Sequence, residues 1–349
     1  MNDQPAVMSP PMPQHTMPQR TMPQRTMPQR TMPQRTMPRR AMLAAALAAV
    51  VVPLPGCGGS VGEAASVAPR ESVTAPASEQ SPASAERPAP EPAARDLPAP
   101  DEAIPKDPKR LADALGRTSG RLRDAIDDWR RTGDPAKGEA PEPVVLLSLY
   151  EQRVYRYLAR HSTIASRTYG KLPEDMAARA RDNVTAIRDL LSLAHPVSGP
   201  IKIKVEAPQP ADDLLAAFRR AERRFGVEWE VLAAVMLVET KFGRVRSPSY
   251  VGAKGPMQFM PGTWKAYGMG GDIDDTGDAL LAAANYLHAS GAPGDYRRAL
   301  YAYNHSQAYV DAVLLHARQM KRDVRNYYAY YTWQVYVITT KGERRLTGP

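Results

Sequence analysis

The sequence predicts a mainly α-helical protein with a small β-hairpin near its C-terminal end and a long unfolded approach at its N-terminal end. Three observations lead there. All 24 aromatic residues (4 Trp, 16 Tyr, 4 Phe) lie at or beyond Trp129. Of the 34 prolines, 21 fall before position 110. Beyond that point apolar residues recur at helical spacing, and the last stretch changes to β-branched and aromatic residues around Lys341-Gly342-Glu343. A segment without aromatics, rich in Pro, Ala, Glu and Arg, cannot bury enough apolar surface to offset the entropy of ordering it. Of the 349 residues, roughly 200–220 therefore remain to fold, one or two average domains.

The elements follow in order. Over 109–131, Leu111, Leu115, Leu122, Ile126 and Trp129 fall near one helical face. Segments 144–159 and 175–193 repeat the pattern, the second closed by His195-Pro196. Residues 201–205 alternate as a short strand before the loop Pro208-Gln209-Pro210. Residues 212–225 read as an amphipathic helix with Asp212 as N-cap. Gly226 interrupts the pattern, and 227–242 makes another helix. Residues 252–271 hold six glycines and read mostly as loop. Helices are predicted at 276–289, 296–303 and 306–320, and a hairpin at 331–346.

The N-terminal part reads as an address and a tether. Residues 16–40 repeat Thr-Met-Pro-Gln-Arg four times and end in Thr36-Met37-Pro38-Arg39-Arg40. A five-residue period with Pro in every unit suits neither helix nor strand. An apolar run, Ala41 to Leu54, follows the paired arginines and closes in Leu54-Pro55-Gly56-Cys57. That is the layout of a secretory signal, and the run is too short to span a membrane. Leu-x-Gly-Cys resembles a bacterial lipoprotein signal, which implies lipidation of Cys57; a secreted protein with an incidental thiol is the alternative. From 58 to 108 the chain is a Pro/Ala-rich linker, able to reach at most ~150 Å at ~3.1 Å per residue. The expected organisation is thus a repeat leader (1–40), a signal with lipobox (41–57), a linker (58–108), a helical accessory region (109–205), a catalytic domain (206–322) and an aromatic tail with hairpin (323–349).

Charge and cysteine exclude other classes. Residues 1–56 hold six Arg and one Asp, so of the net +9 only +4 remains from Cys57 onward. A nucleic-acid binder concentrates basic residues on its folded part, so no nucleic-acid partner is expected. One cysteine permits neither a disulfide framework nor a Cys-rich zinc site, and no metal or cofactor is expected.

One carboxylate stands out. Residues 231–238 are apolar on every face of their helix, which marks it as buried, and Glu239 follows directly. A carboxylate there meets desolvation and the negative end of the helix dipole. Both raise its pKa, as a general acid requires. The alternative is that Glu239 marks the helix's exit to solvent, paired with Lys241 or Arg244. Nineteen residues on, Gln258 offers donors and an acceptor beside apolar Met257 and Phe259, among glycines that permit close backbone approach. That mixture suits a carbohydrate. Ala302-Tyr303-Asn304-His305-Ser306 places further polar groups between two predicted helices; His305 could orient a neighbour or simply face solvent.

Four ordered motifs now carry a resemblance: Glu239-Thr240-Lys241-Phe242-Gly243, then Gly252 to Pro261, then Ala284-Asn285-Tyr286-Leu287, then Ala302-Tyr303-Asn304. Together, over about 211–320, they resemble SLT-type lytic transglycosylases, bacterial peptidoglycan-cleaving enzymes with a fold akin to goose-type lysozyme. The resemblance implies that Glu239 is the single catalytic acid/base. It implies that Thr240, Gly255, Met257, Gln258 and Phe259 line a saccharide site, with Tyr303 and Asn304 positioning the sugar or Glu239. Many members have Ser where this chain has Thr240, and Ala-Gly where it has His305-Ser306.

The implied reaction cleaves the bond between N-acetylmuramic acid and N-acetylglucosamine without water, leaving a 1,6-anhydro ring. The expected partner is the peptidoglycan glycan strand, met outside the cytoplasm by an exported lipoprotein held in the membrane through Cys57. Two alternatives stand beside this. A lysozyme-type hydrolase would need a second carboxylate, from Asp272, Asp274, Asp275 or Asp278. Those acids equally fit the cap and first turn of the next helix, and a calcium loop there would have Ala283 in place of its closing Glu. A non-catalytic wall-binding module is the second alternative, for which a semi-buried acid has no use.

Overall fold

A computed structural model describes residues 97–346. The leader, the signal with Cys57 and most of the expected linker lie outside the described residues. Within them the chain forms eleven helices and one hairpin: α1 (Pro108–Thr132), α2 (Glu142–Arg160), α3 (Ser162–Tyr169), α4 (Glu174–Ser192), α5 (Ala211–Phe225), α6 (Trp229–Thr240), α7 (Pro261–Tyr267), α8 (Thr276–Ala289), α9 (Tyr296–Tyr303), α10 (Gln307–Arg322), α11 (Arg325–Tyr331), β1 (Val335–Thr339) and β2 (Gly342–Leu346). The mainly α fold with a terminal hairpin is as the sequence predicts.

Helix α6 is the axis of the molecule. Every residue from Val231 to Thr240 is buried, because a helix apolar all round has no solvent face to offer. α10 packs on it and on α4, α5 packs on it and on α8, and α2 joins α1 to α4. One apolar core runs unbroken through these helices, from Leu111 to Trp333. The helices of 109–205 and those around α6 thus share a single interior.

Local sequence explains the boundaries. Asp107 caps α1, accepting from Arg110 N, and Pro108 stands at the first helical position, where its missing N–H is no loss. α5 begins one residue before Asp212, with Pro210 rather than Asp212 at the N-cap. The Asp212 carboxylate instead accepts a hydrogen bond from the Tyr328 hydroxyl at 2.6 Å. α5 ends at Gly226, whose φ of 70° is the left-handed C-cap that glycine adopts without strain.

Two sequence readings need correction. Residues 201–205 do not form a strand. Their exposure alternates as expected, but among the described residues only the short stretch 244–247 runs alongside, so pairing stops at one Val205–Val245 bridge. The glycine-rich 252–271 stretch is mostly loop, as expected, with the short α7 inside it, opened by Pro261. α3 and α11 were not anticipated, and α11 occupies the tail region read only as an aromatic cluster before the hairpin. Its tyrosines are interior struts. Tyr327 donates to Ala211 O, Tyr330 to Asn183 Oδ1 and Tyr331 to Gln209 O. Each buried ring contributes roughly 4–6 kcal/mol of apolar transfer before entropy is charged against it.

The hairpin pairs Val335 with Leu346 through Thr339 with Gly342. Val197 adds a short parallel contact to its outer edge, exchanging bonds with Ile338 O and Thr340 N.

Candidate active site

Glu239 closes the last turn of α6, buried among the helices that surround it. Burial pushes its pKa up to about 8, against smaller opposing effects from a Tyr309 hydrogen bond and the Lys241 charge. Its partner is neither Lys241 nor Arg244. The Tyr309 hydroxyl, on the first turn of α10, donates to Glu239 Oε1 at 2.7 Å. Lys241 turns away and donates to Leu237 O, while Arg244 donates to Tyr331 O. Glu239 is therefore not an exit to solvent but a carboxyl held by one neutral donor.

The chain leaves α6 in an unusual way. Lys241, Phe242 and Gly243 all have positive φ, at 53°, 60° and 81°. Non-glycine residues rarely accept this conformation, so two in succession need strong anchoring. Phe242 is fully buried against Phe218, Tyr327 and Tyr331. Thr240 supplies the second anchor. Its hydroxyl donates to Pro256 O at 2.7 Å and accepts from Gly243 N at 2.9 Å. Thr240 thus faces the protein interior and ties the Glu239 helix end to the glycine loop; it does not face a saccharide site.

That loop is a tight turn. Lys254 pairs with Phe259, Gln258 N donates to Gly255 O, and Gln258 itself has φ 51°. Gly255 is required twice over. Its φ is +73°, and a Cβ there would lie 2.0 Å from Ile273 O. Met257 and Phe259 are buried: Met257 O accepts from the Tyr303 hydroxyl at 2.6 Å, and Phe259 meets Trp264 and Tyr303 edge-on. They seat the turn from below. Gln258, between them, stays partly exposed, its amide donating to Gly255 O.

Tyr303 ends α9, and Asn304 is the C-cap. Tyr303 lies close enough to Glu239 that the carboxylate charge adds to burial in holding its hydroxyl protonated. Asn304 is buried, yet its Oδ1 has no hydrogen-bond partner among the described residues. A buried acceptor left unpaired costs roughly 1–3 kcal/mol, so this atom is positioned for an incoming N–H or O–H. His305 faces solvent beside the Tyr301 ring.

Three of the four acids of 272–278 accept local backbone hydrogen bonds. Asp275 caps α8 by accepting from Asp278 N, Asp278 accepts from Asp272 N, and Asp272 accepts from Asp274 N. The structure therefore brings Glu239, Tyr303 and the Gly255–Gln258 turn into one neighbourhood, and adds Tyr309. Sequence reasoning missed Tyr309 because it lies 70 residues from Glu239 on the apolar stripe of α10. The available signal was that a tyrosine on a buried stripe needs a partner for its hydroxyl.

Glu239 thus stands buried beside a glycine-pinned loop and an unpaired amide oxygen, in a mainly helical surround. Residues 216–325 match the family model of the Transglycosylase SLT domain, a lysozyme-like domain. The matched family comprises lytic transglycosylases, enzymes that act on peptidoglycan outside the cytoplasm, and the match covers about a third of the chain. The match takes in Glu239, the turn, Tyr303, Asn304 and Tyr309, and leaves α1–α4 and the hairpin outside it. No curated protein and no solved structure matches the chain.

Proposed function

We propose that the chain cleaves the β-1,4 bond between N-acetylmuramic acid and N-acetylglucosamine non-hydrolytically, with Glu239 as its single acid and base. The observation that carries this reading is the Glu239 carboxyl, buried, held by Tyr309 and raised to a pKa of about 8. At neutral pH such a group is mostly protonated. It gives its proton to the glycosidic oxygen as the C1–O bond breaks, and the substrate's own acetamido oxygen supports the developing positive charge at C1. The Glu239 carboxylate, poorly solvated and therefore basic, then takes the proton of the C6 hydroxyl while that oxygen bonds to C1. One carboxyl finishes as it began, which a pKa near the working pH favours. Gln258, Gly255, Tyr303 and Asn304 contact the sugar in this reading, and the unpaired Asn304 Oδ1 supports it. Thr240, Met257 and Phe259 hold those groups in place.

The same reading has the protein exported and lipidated at Cys57, with the long linker carrying the domain from the membrane toward the wall and 109–205 bracing it. Digesting isolated peptidoglycan with the full chain tests the chemistry. Anhydro-muramyl products, one water lighter than the reducing ends a hydrolase leaves, are expected; reducing ends overturn the mechanism. Cys57→Ala should move the protein from the membrane to the soluble fraction, and unchanged fractionation removes the anchor.

A further inference from the structure

On the face of α6 turned away from Glu239 lies a second polar cavity, of about 50 Å³, against roughly 10–15 Å³ needed to seat one water. Its wall is contributed by α2, α4, α6, α10, Trp333 and β1. Leu237 of α6 and Lys241, the residue that follows its end, line it, the Lys241 ammonium donating back to Leu237 O, and Glu239 is absent from the lining.

The cavity is rich in donors and contains no carboxylate. Arg156 Nε, Trp333 Nε1, the Tyr336 hydroxyl and His316 Nδ1 are all buried, and none has a hydrogen-bond partner among the described residues. The indole and guanidinium nitrogens are donors only and cannot satisfy each other. Trp333 and His316 are each 2 % exposed, so bulk water does not reach them. Gln152 is no help, because its amide already exchanges both bonds with the Gln334 backbone. Lys241 brings an ammonium whose only hydrogen bond among those described is to Leu237 O. Glu343, from the hairpin, is shared between Arg156 and Arg160 and is not part of the lining. Native interiors very seldom leave this many buried donors idle, and buried positive charge needs a counter-charge.

We propose that this cavity is a binding site for a free small carboxylate of about acetate size, which accepts from Arg156 Nε, Trp333 Nε1 and the Tyr336 hydroxyl and lies beside the Lys241 ammonium. A carboxylate suits the wall better than a tetrahedral oxyanion. Beside the donors, Leu237 and Ile187, Leu190 and Leu191 of α4 line the cavity with apolar surface, against which the methyl end of a small carboxylate can pack. Its charge also answers that of Lys241, which burial and the Arg156 charge push down to about 7 while Glu239, across the helix, opposes them. His316 stays neutral throughout, its pKa lowered to about 3 by burial and then by Lys241. Burial lowers the Arg156 pKa to about 9, so near pH 7 it still carries its charge beside Glu343, a carboxylate that Arg160 shares. Binding should therefore weaken as pH rises through about 7 and Lys241 loses its proton.

Thermal unfolding of the full chain tests this, with sodium acetate exchanged for sodium chloride at fixed ionic strength and pH 6. A saturable rise in Tm is expected. Tyr336→Phe and Trp333→Phe should each weaken the half-saturating acetate concentration by about tenfold, the scale of one hydrogen bond to a charged group. If one variant fails to fold, the other carries the comparison. Inorganic phosphate in place of acetate should give no saturable rise. A flat or unsaturating response to acetate, unchanged half-saturation in both folded variants, or a preference for phosphate each overturns the assignment.

Discussion

The C-terminal end of helix α6 presents two buried ionisable groups two residues apart, Glu239 in its last turn and Lys241 just past it, and their surroundings treat them differently. Glu239 sits against Tyr309, a neutral donor that holds one carboxyl oxygen at 2.7 Å. Lys241 sits against a backbone carbonyl, with an arginine across the cavity and no acid in the wall. Desolvation drives both toward neutrality, Glu239 upward to about 8 and Lys241 downward to about 7. The helix dipole divides them, since its negative end disfavours a carboxylate and favours an ammonium. On one side burial creates a proton donor at working pH; on the other it leaves a cation short of a counter-charge. The same apolar helix thus generates one group ready for acid chemistry and one ready for an anion.

The largest effect expected is at the carboxyl. Glu239→Gln keeps the shape and the Tyr309 contact but holds no transferable proton, so cleavage should fall by about 10³-fold, within the range general acid–base groups supply. Muropeptide release measured over time reads this directly. The sign of the stability change is a second check. Between the ordinary carboxylate range and about 8, folded Glu239 keeps a proton that the unfolded chain has released. Stability therefore falls as pH rises through that window, and the Gln variant should lack the slope and unfold at a higher temperature than the parent at pH 8. Wild-type cleavage should in turn fall off above about pH 8.

Lys241→Met tests the other side. Below about pH 7 both folded and unfolded chains carry the Lys241 proton, and the folded one bears the full desolvation cost. Replacing a buried charge by an apolar side chain of similar length should raise stability by about 1–3 kcal/mol at pH 6, measured by denaturant unfolding without added carboxylate. Above pH 7 the folded Lys241 is already neutral while the unfolded one is not, so native stability rises with pH and the variant's advantage should shrink. An advantage that grows with pH would mean that Lys241 is well paired.

What the sequence could and could not reveal follows the same physics. α6 was legible because eight apolar residues in a row can only be interior, and Glu239 was legible as the polar residue that breaks the run. α8 and α9 were legible to the residue because Asp275 and Asp295 cap them. Contacts across long separations were not. Tyr309 reaches Glu239 only because α10 packs on α6, and the cavity assembles residues from 152 to 338. The resemblance implied that Thr240 lines a saccharide site; its hydroxyl turns inward instead, donating to Pro256 O beside the left-handed turn at Lys241 and Phe242. The short α11 was hidden because its run of tyrosines carries as much strand as helix preference.

Tyr309→Phe comes next in size. The hydroxyl is a positioning group, and its loss should lower kcat by about tenfold, one hydrogen bond to a charged or reacting group. A purely structural role would stop there. Because the Tyr309 bond lowers the Glu239 pKa, its removal should also move the alkaline fall-off of cleavage to higher pH. A fall-off that stays in place while kcat drops would reduce Tyr309 to packing.

The smallest effect belongs to Thr240, between the two groups. Its hydroxyl holds the α6 end to Pro256 O and caps Gly243 N, so the two left-handed residues that follow depend on it. Thr240→Ser retains that oxygen and loses one buried methyl, for about 1 kcal/mol of stability, with KM and kcat close to the parent. Thr240→Val retains the volume and loses the hydroxyl, leaving a buried carbonyl and a buried N–H short of a partner at about 1–3 kcal/mol. The ordering is informative because a sugar-contacting hydroxyl predicts something else: Val would then raise KM with little change in stability. Unfolding and kinetics on this pair therefore decide whether the residue after the acid contacts substrate or, as its hydrogen bonds indicate, holds the two faces of α6 in register with the loop.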